Sequence, residues 1–182
     1  MILGITGHAR HGKDTTADMI CDLADYRKTA FADRMKRVCA IIFGWGEREL
    51  YGDLKDVVDP RWGISPRHAL QTIGTQWGQF ELGKYDAFGR TTGRLLWTRS
   101  TLDDILPDED VVIADVRFPH EAEAIRERGG KIVMIRRPGY PVDLSHESEK
   151  AIEEIKPDHV IRNGGSFDYL RAQIIDFLTS LG

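Results

Sequence analysis

Residues 2–19, ILGITGHARHGKDTTADM, constrain the fold more than any other stretch of the chain. A short apolar run leads into a glycine-bounded loop and then into a helical pattern, with Gly7, Gly12 and Lys13 at the G-x-x-x-x-G-K spacing of a phosphate-binding loop. The apolar run, 2–6, reads as a buried strand that delivers the loop to the edge of a sheet. Its glycines let the backbone curl so that several N–H groups point inward at one place. A helix starting at Lys13 adds its unpaired N-terminal N–H groups and the positive end of its dipole. Lys13 itself supplies a mobile ammonium able to follow a phosphoryl group from donor to acceptor.

One position departs from the pattern. The residue after the lysine is usually Ser or Thr, whose hydroxyl ligates magnesium; here it is Asp14, followed by Thr15 and Thr16. A carboxylate beside a polyphosphate repels it unless a divalent cation lies between them or the carboxylate faces the acceptor. Asp is also a good helix cap, so both readings stand.

With 182 residues, 41% apolar and 30% charged, the chain is long enough for one compact α/β domain with room for a small insertion, and too apolar for disorder. A net charge of −4 gives no general drive toward nucleic acid or anionic membranes. Cys21 and Cys39 lack metal-ligand spacing and read as buried thiols of a reducing compartment. The first strand opens at once and no apolar run is long enough to span a bilayer, so the expectation is a cytoplasmic protein without a secretory leader.

Along the chain, residues 13–25 read as the first helix. Tyr26 to Ala32 holds a short strand centred on Thr29, Ala30 and Phe31, and a helix follows from Arg34 to Phe43 with Met35, Val38, Cys39 and Ile42 inward. Arg34, Lys36 and Arg37 make its first turn basic, which helix starts disfavour; a phosphate held nearby and solvated surface charge are both consistent with that. Residues 44–65 show no regular period and read as a short helix and loop. Ser65-Pro66 opens a helix over 67–80, on which Arg67 and Gln71 share a face suited to a phosphate and a base edge. Residues 82–99 intersperse Lys84, Arg90, Arg94 and Arg99 with Gly83, Gly89 and Gly93, the composition of a lid that closes over phosphates or of a surface loop. Trp97 at its end can stack on a base or plug the core.

Val111 to Asp115 is an apolar strand ending in Asp, the second half expected of a phosphate-loop site, and Arg117 follows on the same side. Asp115 can hold magnesium and Arg117 can steady a transferring phosphoryl group or bind substrate. A helix from Pro119 to Arg128, a strand from Lys131 to Arg136, a helix opening at 145–149, a strand at 159–161 and a final helix capped by Ser166 complete the chain. His146 reads as structural or as a switch element. The order β-α-β-α-α-β-α-β-α-β-α predicts a doubly wound, mostly parallel sheet with helices on both faces.

These motifs together resemble those of the bacteriophage deoxynucleoside monophosphate kinases. The likeness is carried by Gly12-Lys13-Asp14-Thr15-Thr16-Ala17-Asp18, Ala32 through Lys36, Leu70-Gln71 with Gly74-Thr75, and Asp115-x-Arg117 with His120-Glu121. It continues through Arg137-Pro138-Gly139, His146 with Glu149, and Asn163-x-Gly165-Ser166. The resemblance implies a single P-loop NTPase kinase domain over 1–182, with an acceptor-binding insertion at about 44–66 and a lid at about 84–100. It further implies transfer of the γ-phosphoryl group of ATP, with magnesium, to a small-molecule nucleoside monophosphate.

Carried over by residue, Gly7, His8, Ala9, Arg10, His11, Gly12, Lys13, Asp14 and Thr15 would cradle ATP, with Arg137 and the Asn163–Ser166 turn flanking adenine. Lys36 and Arg67 would hold the acceptor phosphate, Gln71 would lie near the acceptor base, and Glu121 would touch ribose or base; Trp97, read from its own place in the chain, is a further substrate-binding candidate. Lys13, Asp14 and Arg117 are the candidate catalytic residues; Asp14, Thr15 and Asp115 are the candidate magnesium ligands. The chain is shorter than the phage enzymes, chiefly between 44 and 66, which leaves the accepted base open. A homodimer is also left open. The alternatives are a dephospho-coenzyme A or phosphomevalonate type of kinase, or a nucleotide-dependent switch. A guanine-reading N-K-x-D run and a recognisable nucleic-acid-binding motif are both absent from the sequence.

Overall fold

The computed structural model describes residues 1–85, 95–145 and 147–181. Among these residues five strands form one sheet: β1 (Ile2–Thr6), β2 (Arg27–Thr29), β3 (Val111–Val116), β4 (Lys131–Arg136) and β5 (His159–Arg162). Their order is β2-β3-β1-β4-β5 and every neighbouring pair is parallel. A parallel sheet must be covered on both faces, which is why β1 and β3 are near-continuous apolar runs; every residue of β1 is buried. The helices are α1 (Lys13–Leu23), α2 (Phe31–Phe43), α3 (Glu47–Leu50), α4 (Pro66–Gln71), α5 (Leu96–Leu102), α6 (Pro119–Arg126), α7 (Glu147–Ile152) and α8 (Phe167–Thr179).

The chain divides into two compact units, one of residues 1–30 and 105–182 and one of residues 31–104. In the first, Leu3 and Ile5 of β1 pack with Ala17 and Ile20 of α1 and with Leu170, Ile174 and Phe177 of α8. Side chains alternate across a strand, so the opposite face at Gly4 meets Ile125 of α6. Helices thus cover both faces, as the element order predicts. β1 pairs with β3 in simple register from Ile2–Val111 to Gly4–Ile113, then shifts so that Thr6 faces Val116. That irregularity lets β3 carry one extra residue at the end where Asp115 lies, as bulges beside functional sites commonly do.

The second unit is helical around Met35, Cys39, Trp45, Leu50, Ala69 and Leu70. Its irregular part, residues 44–65, is the expected short helix and turns, tied by Trp45 Nε1 donating to Asp59 Oδ2 at 2.7 Å. Three local expectations are corrected. β2 stops at Thr29, and Ala30 and Phe31 are not strand: β2 pairs only along Val111–Ile113, and Phe31 is already helical. α2 buries the narrow i, i+4 stripe Phe31, Met35 and Cys39, leaving Val38 and Ile42 36% and 56% exposed. The helix expected over 67–80 is α-helical only to Gln71; from Thr72 to Glu81 it widens into a π-helix. There the Trp97 indole N–H donates to the Gly74 carbonyl at 3.0 Å. Of the thiols, Cys39 is buried and Cys21 half-buried. His146, Arg90, Arg94, Gly89 and Gly93 lie outside the described residues. Among the described residues no helix is long and apolar enough to cross a membrane.

Candidate active site

The chain leaves β1 through Gly7 at φ 143, where a Cβ would lie 2.5 Å from the Ile135 carbonyl oxygen. Only glycine lets the loop pass that close to β4. Arg10 follows at φ 63, the one non-glycine residue with positive φ among the described residues. Gly12, at φ 97, is the N-cap of α1, and no side chain caps that helix. An uncapped helix start leaves its first N–H groups for a bound anion. The turn is braced from β5's far end: Asn163 Nδ2 donates to the His11 carbonyl at 3.0 Å and occupies the space a Gly12 side chain would need. Asp14 is therefore not the cap. Its carboxylate, 83% exposed, lies 3.2 Å from Lys28 Nζ, which also binds Asp18 at 2.9 Å.

Lys13 is buried, and its ammonium donates to the carbonyls of Gly7 at 2.7 Å and His8 at 2.9 Å. Burial first, and then the Arg117 guanidinium, push its pKa down to about 8. The arginine emerges just after Asp115 at the end of β3, as parallel sheets place functional groups at the carboxyl ends of their strands. Glu149 of α7 enters the same ground. Its Oε2 accepts from His8 Nδ1 at 2.9 Å and from the Ala9 N–H at 3.2 Å, and its Oε1 lies 3.8 Å from Arg117 Nη1. Burial alone would raise this carboxyl; His8, the Ala9 N–H, Arg117 and Lys13 outweigh it and hold it below the usual range. The other nitrogen of His8 faces Glu153 Oε1. Burial, and then His8, lower the pKa of His11.

Glu121, expected at ribose or base, is only 6% exposed, and its carboxylate accepts from the Arg117 N–H at 2.7 Å and the Phe118 N–H at 3.1 Å. It shapes the start of α6, with burial and then the Asp115 carboxylate pushing it up to about 8. Arg137, Tyr140 and Asn163 line an open recess of about 340 Å³ with Pro138, Gly139, Gly164 and Gly165. The Arg137 guanidinium stacks 4.9 Å from the Tyr140 ring centre, and the Arg137 N–H reaches His11 Nδ1 at 3.4 Å.

The first unit thus gathers Gly7 to Thr15, Asp115, Arg117, Glu121 and Arg137. The remaining candidates belong to the second unit. Lys36 Nζ stands 3.7 Å over the Tyr51 ring, whose hydroxyl donates to Asp33 at 3.3 Å. Arg67 is paired in a two-pronged fork with Asp56. Trp97 packs against the unit's core, with Trp77 6.4 Å away. Sequence reasoning assigned no part to Tyr140, to Lys28 as the partner of Asp14, or to Glu149 as the partner of the loop. His8 and Glu149 are 141 positions apart, and no spacing rule links them.

The site fits an anion by the uncapped start of α1 and the buried ammonium. For a divalent cation, no group of three or more His, Cys, Asp or Glu side chains able to hold one occurs among the described residues. Such an ion would need phosphate oxygens to complete its shell.

A family model described as deoxynucleotide monophosphate kinase matches residues 51–174. A protein of Acanthamoeba polyphaga mimivirus, provisionally named a deoxynucleotide monophosphate kinase, is 34% identical over 96% of this chain and 94% of its own length. The deoxynucleotide monophosphate kinase of Enterobacteria phage T4 is 25% identical over 71% of this chain, which spans 51% of that protein. Among solved structures, dephospho-CoA kinase from Campylobacter jejuni superposes with a TM-score of 0.51 at 16% identity, covering 99% of this chain and 96% of that one. That last likeness is one of fold, the P-loop NTPase α/β fold.

Proposed function

The chain belongs to the deoxynucleotide monophosphate kinase family, and from that premise we propose that it moves the γ-phosphoryl group of ATP, with magnesium, to a deoxynucleoside monophosphate. It is a nucleotide kinase, and the readings as a dephospho-coenzyme A kinase, a phosphomevalonate kinase or a nucleotide switch are set aside. The observation that carries the finer reading is the buried Lys13 ammonium, held on the Gly7 and His8 carbonyls next to an uncapped helix start. A lysine placed there suits the β- and γ-phosphates of a nucleotide.

In this reading the amides from Gly7 to Thr15 take the triphosphate, and the recess at Arg137, Tyr140 and Asn163 takes the base of ATP. Arg117 faces the transferring group. Asp14, Thr15 and Asp115 are the residues that would hold magnesium beside the phosphates. When bound, it would neutralise phosphate charge. Lys36, Arg67 and Gln71 take the acceptor, Arg67 entering that role already oriented by Asp56, and Trp97 supports them from the core. Residues 44–66 shape the acceptor pocket; the lid expected at about 84–100 falls largely on 86–94, which lie outside the described residues. The acceptor phosphate oxygen is already nucleophilic, so the chemistry rests on bringing two anions together and needs no general base.

The test is an ADP-release assay with ATP, magnesium and each common ribo- and deoxyribonucleoside monophosphate. Turnover on at least one deoxynucleoside monophosphate, abolished in Lys13→Ala with the fold retained, is the expected result. Near-normal turnover by Lys13→Ala, or none by the wild type on any monophosphate, would remove the reading.

A further inference from the structure

We infer that Glu149 is a positioning residue for phosphoryl transfer: with one oxygen it holds the first half of the phosphate loop, and with the other it holds Arg117. This rests on the kinase reading above and adds to it a residue outside the loop and the strand ends. The division of labour is explicit in the geometry. Oε2 takes the His8 imidazole at 2.9 Å and the Ala9 N–H at 3.2 Å, while Oε1 stands 3.8 Å from the Arg117 guanidinium.

A carboxylate with 9% of its side chain exposed has lost most of its hydration, and that loss must be offset by partners. Each of these partners is a group assigned to the nucleotide. Packing does not require it, because Ile152, one turn on, already anchors α7 at 1% exposure. Arg117 is 43% exposed on a flexible stem and stands near a second cation, Lys13, that repels it. An anion fixed behind both lets the guanidinium rest near the loop before substrate arrives. The freedom it would otherwise lose on reaching the transition state is then already given up. Because that benefit falls on the transferring group, it belongs to kcat more than to ATP binding.

The experiment is a double-mutant cycle of Glu149→Gln and Arg117→Ala, with kcat, the KM for ATP and Tm measured for wild type, both single variants and the double. Glu149→Gln keeps the shape and the acceptor oxygen but drops the charge. It should lower kcat by about 10- to 100-fold with the ATP KM within about threefold, and in the Arg117→Ala background its effect should shrink to about threefold or less. If Glu149→Gln does not fold, Glu149→Asp, which keeps the charge and withdraws it by one methylene, enters the same cycle. An equal loss in both backgrounds, a loss confined to the ATP KM, or an unchanged kcat in a folded variant overturns the inference. A wild type inactive on every monophosphate brings down the kinase reading and this one with it. An active wild type beside a normal Glu149→Gln overturns this one alone.

Discussion

At Lys13, burial and the Arg117 guanidinium work against the ammonium in the ligand-free protein, lowering its pKa from 10.5 to about 8. The folded chain therefore binds fewer protons than the unfolded one between those values. The penalty is fully present below about pH 8 and is relieved as pH rises toward 10.5. Lys13→Met should stabilise the ligand-free protein at pH 7 by about 1 to 3 kcal/mol, partly offset by the two lost carbonyl bonds. The gain should fade above pH 10 in a denaturation series (roughly where a free lysine loses its proton), while phosphoryl transfer is lost at every pH. Glu121 carries the opposite sign. Its pKa is raised from 4.5 to about 8, so stability falls as pH climbs through that window and the penalty is complete above it. Glu121→Gln keeps an oxygen for the Arg117 and Phe118 amides, and should raise Tm near the alkaline end of that window while changing it little at its acid end. A gain of equal size at both ends would contradict the assignment.

Elements in this molecule are shaped where two of them press together. The π-helical segment from Thr72 to Glu81 departs from the plain α-helix expected there, because periodicity registers which face is apolar and not whether a helical carbonyl also accepts from a distant indole. Gly78 allows that approach: a Cβ there would sit 2.4 Å from Trp97 Nε1 and 3.0 Å from the Ile73 carbonyl. Both neighbours are stiff, so Gly78→Ala should displace the indole, break its bond to Gly74 and cost about 1 to 3 kcal/mol. Tryptophan fluorescence would shift along with Tm. β2 ends early although β3 runs on to Val116, because the chain is already helical at Phe31; on α2 the buried stripe is Phe31, Met35 and Cys39, which leaves Val38 and Ile42 outside. By contrast β1, β3, β4 and the Ser166-capped α8 were legible from apolar runs and punctuation alone.

For the molecule as a whole, the kinase reading assigns the donor nucleotide to one unit and acceptor-holding side chains to the other, so ligand stabilisation should be separable by mutation. A ligand at about 100 times its Kd adds about 2.7 kcal/mol to the folded state. In a thermal-shift series Lys13→Ala should lose the stabilisation by ATP and keep that by the accepted monophosphate. Arg67→Ala should do the reverse, with the acceptor KM rising far more than the ATP KM. Loss of both responses in either variant would contradict the assignment.

What the sequence determined by itself was local and periodic. A glycine-framed loop between an apolar strand and a helix, a second apolar strand ending in Asp, and the alternation of strands and helices are all written in consecutive residues, and together they specify a parallel sheet with a phosphate-binding turn. The tertiary structure alone decided which distant charges meet that turn. Asp14 faces Lys28 and does not cap its helix, Glu121 shapes a helix start, Asn163 wedges behind Gly12, and Glu149 reaches back across 141 positions to the loop. Periodicity reports which side chains leave water. It carries no term for the pairing energy between two buried polar groups, which depends on separations of a few ångströms that exist only once the sheet has assembled.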